Sequence, residues 1–217
     1  MEAARGLGER AMMLAIYSLC LVLALYHRNK STYIYFKTLT SSAFVAIGIY
    51  YGVQNQNYML IPLLLGFLLG DIMLATKLKR SFIYGMGGFF LADVWLVYSL
   101  YQLKSVTVFD FLLSIVVMIF VNVISQNPKM HLGHYKKPMY GYGFLISLAV
   151  SNSIGCFILY GTRNYFFLSL GMAFYFISDF LLMFQYFYKT QHRDTLKIAK
   201  MLFYFVGTYF IAYSIGQ

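Results

Sequence analysis

Three aspartates stand inside long apolar runs: Asp71 in Leu68-Leu69-Gly70-Asp71, Asp93 in Leu91-Ala92-Asp93-Val94 and Asp179 in Phe176-Ile177-Ser178-Asp179. A carboxylate in hydrocarbon costs about 3 kcal/mol or more unless it is paired, protonated or hydrated, so each marks a candidate site. Counted at 1.5 Å per helical residue, Asp71 lies roughly 9 Å and Asp179 roughly 15 Å from the basic ends of their segments, Lys77 and Lys189. The two therefore share one half of the layer. Lys37, Tyr142 and Tyr204 enter the same half from the same side, one or two turns into their own segments. Two carboxylates held together in a low dielectric divide into one acid and one base, the minimum equipment for hydrolysis by proton transfer. A lysine beside them could hold one ionised or bind a lipid phosphate. The same residues could also relay protons or ions, or make hydrogen bonds that only pack helices. Asp93, twelve residues into its segment, lies nearer mid-membrane and is a supporting candidate. Asp110 falls near the opposite boundary, where it is expected to be solvated.

Long apolar helices must position these groups. The chain has 217 residues, 60% of them hydrophobic and 11% charged, against about 25% charged in a soluble domain. A soluble globular fold is excluded. Runs of about 20 apolar residues predict an all-α, polytopic membrane protein of eight helices at 11–26, 33–52, 58–76, 81–101, 106–125, 138–160, 164–188 and 196–215. One transmembrane domain, residues 1–217, is then the whole chain, with loops too short for a second domain.

The basic residues alternate by side. Arg28, Lys30 and Lys37 follow span one; Lys77, Lys79 and Arg80 follow span three; Lys129, Lys136 and Lys137 follow span five; Lys189, Arg193, Lys197 and Lys200 follow span seven. The other side holds Arg5 and Arg10, offset by Glu2 and Glu9, then Lys104 and Arg163. This excess orients the bundle with both termini on the non-cytoplasmic side. The net charge of +10 then reads as a surface facing anionic lipid headgroups, with membrane lipids as partners and no nucleic acid. Tyrosines at span ends, such as Tyr33, Tyr35, Tyr50, Tyr51, Tyr186 and Tyr188, fit interfacial belts. Span one lacks a small-residue cleavage site and reads as a first helix.

Several weaker patterns have bland readings. Gly48 with Gly52 and Gly66 with Gly70 are spaced for close helix packing. Gly85-Met86-Gly87-Gly88 lies within a span and is no phosphate loop. His131 and His134 lack a third ligand, so no metal and no cofactor are expected. Cys20 and Cys156 sit in apolar runs as small hydrophobes.

The chain resembles the YhhN-like integral membrane proteins, which include the lysoplasmalogenases, from Lys37 to Ser214. The resemblance rests on Gly70-Asp71, on the Gly-rich fourth span from Phe82-Ile83-Tyr84-Gly85 to Phe89-Phe90, and on Gly171-Met172-Ala173-Phe174-Tyr175-Phe176-Ile177-Ser178-Asp179. Lys37 and the stretch from Tyr204 to Ser214, including Gly207, also match. It implies hydrolysis of the vinyl ether of a lysoplasmalogen to a fatty aldehyde and glycerophosphoethanolamine or glycerophosphocholine. Asp71 and Asp179 are then the expected catalytic pair, with Lys37 meeting the phosphate and Tyr142 and Tyr204 orienting substrate or carboxylates. Asp93 stands where the family usually has His, and Thr208 where it usually has Gln.

Other readings use the same residues. A proton-coupled transporter or channel would be expected to show an inverted repeat and paired Gly/Pro breaks, which are not evident. An intramembrane aspartyl protease would need Gly-x-Gly-Asp and Pro-Ala-Leu, and the chain has Leu68-Leu69-Gly70-Asp71 and no Pro-Ala-Leu. A non-catalytic lipid-binding relative is the remaining alternative. The expected location is a bacterial inner membrane or an organelle membrane such as the endoplasmic reticulum.

Overall fold

The computed structural model describes residues 2–76 and 80–217, with side chains from residue 8 onward. Lys77 and Lys79, counted above among the basic residues, lie outside the described residues, as do the side chains of Glu2 and Arg5. Eight α-helices are described: α1 Glu2–Tyr26, α2 Tyr33–Asn55, α3 Ile61–Ala75, α4 Ser81–Tyr101, α5 Phe109–Ser125, α6 Lys136–Tyr160, α7 Arg163–Phe187 and α8 Arg193–Ser214. Helix bounds follow local chemistry. Pro62 opens α3, where its missing N–H costs nothing. Gly161 closes α6 at φ 63°, donating its N–H to the Phe157 carbonyl at 2.8 Å. α1 begins at Glu2 and not at residue 11, so the helix continues beyond the apolar run.

Five helices, α1, α4, α6, α7 and α8, are long and apolar enough to cross a membrane. α2 has the length, but Lys37, Thr38, Thr40, Ser41 and Ser42 lower its hydropathy. α3 and α5 have 15 and 17 residues, so α3 extends only about 22 Å. The segment from Asn57 to Leu60 forms a turn before α3, in place of the first turn expected from residue 58.

Six helices form a closed ring in the order α2, α3, α4, α6, α7, α8 and back to α2. α1 lies outside against α2 and α8, and α5 lies outside against α6. The Tyr17 hydroxyl fastens α1 by donating to the Phe205 carbonyl at 2.7 Å. Small residues bring ring neighbours close, as the Gly66 and Gly70 spacing predicts: a Cβ on Gly88 of α4 would lie 2.9 Å from the Gly70 nitrogen of α3. α7 and α8 make the most extensive contact. There Gly171 and Gly207 face each other, and a Cβ on either would stand 2.7 Å from the other's carbonyl oxygen. Backbone cannot yield as a side-chain tip can. Gly171→Val should therefore separate the two helices at a cost of about 1–3 kcal/mol, read as a fall in Tm of the detergent-solubilised protein.

On the basic side, the loop before α6 is tied to the end of α7. His131 N–H donates to the Phe187 carbonyl and Lys189 N–H to the Lys129 carbonyl, both at 2.9 Å. Two expectations are corrected. Asp110 is not solvated: it is 3% exposed, its Oδ1 is 2.6 Å from Lys104 Nζ, and its Oδ2 accepts the Thr107 N–H at 2.8 Å. The loop from Lys104 folds back over the α5 N-terminus, and a carboxylate there satisfies both a cation and a loop amide. Tyr51 is buried rather than interfacial, because Gly216 leaves room for its ring. Tyr35 and Tyr186 are exposed, as belt residues are. Cys20 and Cys156 are free and buried.

Candidate functional site

Five of the ring helices, α2, α3, α6, α7 and α8, bring polar side chains inward at one level, and these side chains converge there. Lys37 of α2 and Asp71 of α3 form an ion pair, Nζ to Oδ1 at 2.8 Å. Both are deeply buried, at 4% and 2% exposure. Asp71 Oδ2 accepts the Ser41 hydroxyl at 2.5 Å and the Tyr204 hydroxyl at 2.7 Å. The Lys37 ammonium also donates to the Asp71 carbonyl at 3.3 Å. An ammonium can only donate, so Asp71 Oδ1 is an acceptor in this arrangement. The carboxyl is surrounded by three hydrogen-bonding side chains from two neighbouring helices.

Asp179 of α7 lies in a different setting. Its Oδ2 accepts the Tyr142 hydroxyl of α6, and the Tyr142 hydroxyl in turn lies 2.8 Å from that of Tyr175. Among the described residues, Asp179 forms no ion pair. Two carboxyls, one paired with a cation and one with a phenol, are thus supplied by facing helices. Both line one cavity, together with Lys37, Ser178, Lys200 and Tyr204. About 20 Å³ of this space is open to a water-sized molecule, which is room for roughly one water.

The aromatic rings beside the cavity come from the turns that precede the carboxylates. Phe67, four residues before Asp71, packs on Tyr175, four before Asp179, with ring centroids 4.5 Å apart. Phe89 of α4 lies 5.9 Å from Phe67 and 6.0 Å from Tyr204. These rings cover the side of the cavity remote from the basic loops. Two apolar crevices reach Tyr142 from the other direction. One, about 320 Å³, lies between α4 and α6 and includes Met86, Gly87, Phe90 and Gly141. The second lies between α5, α6 and α7 and is also lined by Asp179.

Of the residues singled out from the sequence, Asp71, Asp179, Lys37 and Tyr204 line the common cavity, and Tyr142 joins it through Asp179. Asp93 does not line it. It is fully buried at 0% exposure, and neither oxygen has a hydrogen-bond partner among the described residues. Thr208 faces α1, where its hydroxyl lies 3.2 Å from that of Tyr17. Sequence reasoning missed Ser41, Tyr175 and Lys200. Each stands four residues from a residue it did name, on the same helical face: Ser41 after Lys37, Tyr175 before Asp179 and Lys200 before Tyr204.

Fold and site together define a multi-helix membrane protein with a buried ring of carboxylate, lysine and tyrosine side chains around a small cavity. The YhhN family model matches residues 32–215, and the chain belongs to that family. Neither a curated protein nor a solved structure matches it at a significant level. The matched region starts at the head of α2 and contains all six ring helices, and thus every residue that lines the cavity.

Proposed function

We propose that the protein is an eight-span membrane hydrolase that cleaves the vinyl ether of lysoplasmalogens, releasing a fatty aldehyde and glycerophosphoethanolamine or glycerophosphocholine. The observation that carries this reading is the pair of carboxyls from α3 and α7 lining one water-sized cavity. Both termini would lie on the non-cytoplasmic side, so that the basic loops, and the end of the bundle nearer Asp71 and Asp179, face the cytoplasm.

The differing surroundings of the two carboxyls suggest their roles. Asp179, paired with a phenol and no cation, is the acid: it protonates the β-carbon of the vinyl ether, and the ether oxygen takes up the positive charge as an oxocarbenium. Asp71, with Lys37 fixing its position, is the anion beside that cation. It takes a proton from the water that adds to the α-carbon. The hemiacetal then collapses, its O–H proton passing through the carboxyls, to give the aldehyde and the free glycerol hydroxyl. Glycosidases handle an oxocarbenium-like transition state with a comparable acid and carboxylate pair. Tyr142 orients Asp179 and Tyr204 orients Asp71. The apolar crevice between α4 and α6 would hold the alkenyl chain next to Tyr142.

This chemistry makes a sharp distinction between substrates. Alkenyl-lysophosphoethanolamine should release aldehyde, whereas the saturated alkyl analogue of equal chain length should release none, because without the double bond protonation on carbon cannot generate the oxocarbenium. Aldehyde assayed from purified protein in detergent tests both. Release from neither lipid, or equal cleavage of both, would overturn the vinyl ether reading.

A further inference from the structure

We infer that Lys200 is the phosphate-binding residue of the cavity, receiving the phosphodiester of a lysophospholipid headgroup. The inference rests on the cavity being a lysophospholipid site; the particular cation is assigned by how the charges around it are spent. The cavity has four charged side chains: Lys37, Asp71, Asp179 and Lys200. Lys37 is occupied by Asp71 through its ammonium, at 2.8 Å to the carboxyl and 3.3 Å to the backbone carbonyl. A phosphate could recruit it only by breaking a buried ion pair. Asp179 is occupied by Tyr142. Lys200 alone among these four makes no hydrogen bond and no ion pair with the described residues.

The other cations along the basic end of α8 are also committed. Arg193 donates to the Gln185 carbonyl, at 3.2 Å from Nη2. Lys197 donates to the Arg28 carbonyl and, at 3.1 Å, to Asn29 Oδ1. Arg193 thus ties α8 to the end of α7, and Lys197 ties it to the loop after α1. Lys200 is the next basic residue inward, at the point where α8 meets the cavity and one turn before Tyr204, which holds Asp71. Lys200 is half-buried, so its ammonium is partly withdrawn from water without a protein partner, which is costly, yet it stays accessible to a ligand. An anion brought by a ligand would repay that cost. The position suits a lysolipid: a phosphate at Lys200 lies on the basic-loop side of both carboxyls, with the glycerol and ether then reaching inward toward them.

The test is a binding measurement, so that its outcome does not depend on turnover. Equilibrium binding in detergent compares saturated alkyl-lysophosphoethanolamine with the alkylglycerol that lacks the phosphate. Wild type should prefer the phosphate-bearing lipid by about tenfold or more, as expected for a charge-assisted hydrogen bond. Lys200→Met should lose that preference while binding alkylglycerol as wild type does, and Lys200→Arg should retain it. Competition by inorganic phosphate would define a general phosphate site at Lys200; failure to compete would restrict it to the lipid headgroup. The inference is overturned if wild type shows no preference, if Lys200→Met keeps it, or if Lys200→Met binds both lipids more weakly by the same factor. Should Lys200→Met not fold, Lys200→Gln takes its place, and the wild-type comparison stands alone as a refutation. A phosphate preference that depends on Lys200 in a protein that cleaves no vinyl ether would remove the hydrolase reading and leave this one intact.

Discussion

Asp179→Asn lowers aldehyde release from alkenyl-lysophosphoethanolamine by about 10²–10⁴-fold, the range for loss of a positioned proton donor. The amide keeps the shape of the carboxyl and can still accept the Tyr142 hydroxyl, so the melting temperature should stay close to wild type. It cannot deliver a proton to carbon. Asp71→Asn should lose activity to a similar extent by a different route: the amide retains acceptance from Ser41 and Tyr204 but brings no negative charge to the oxocarbenium. The two variants differ in stability, since Asp71→Asn also leaves the Lys37 ammonium without its counterion. Turnover and melting curves measured side by side check both statements. Near-wild-type turnover in either folded variant would remove that carboxyl from the mechanism.

The second large effect is on stability. Lys37→Met leaves Asp71 as a buried carboxylate with hydroxyl donors only, and breaking one partner of a buried pair costs about 3–5 kcal/mol. A Met side chain fills much of the space of the lysine stem, so lost packing contributes little. The double variant Lys37→Met with Asp71→Asn removes both charges. It should melt well above Lys37→Met alone, because no uncompensated charge remains, while staying inactive. A double-mutant cycle on melting temperatures reads the coupling. If Lys37→Met were as stable as wild type, the ion pair would not be what holds α2 to α3 at this level.

The helix pattern was legible in the sequence, because the features that define it are local. A run of apolar residues has the length to cross or nearly cross hydrocarbon whatever its neighbours are, and a charge inside it is conspicuous for the same reason. Bounds of α4 match the expected span at both ends, and those of α7 agree within a residue. Small-residue spacings pointed to close packing, and Gly66, Gly70 and Gly88 are found in it. Asp110 misled because its distance from the apolar run placed it at a boundary, whereas a return of the loop from Lys104 buries it.

Depth along a helix and direction around it differ in how they are encoded. Depth follows from counting 1.5 Å per residue from a basic loop, and that count alone placed Asp71, Asp179, Lys37, Tyr142 and Tyr204 at one level. Direction depends on which helix stands beside which. The sequence has no means of showing that α1 and α5 lie outside a ring closed by α8 on α2, since that order is set by how small and large side chains fit between non-adjacent segments. Only the tertiary structure therefore decided that Lys37 meets Asp71, that Tyr142 meets Asp179, that Asp93 is buried without lining the cavity they share, and that Lys200 enters it unpaired.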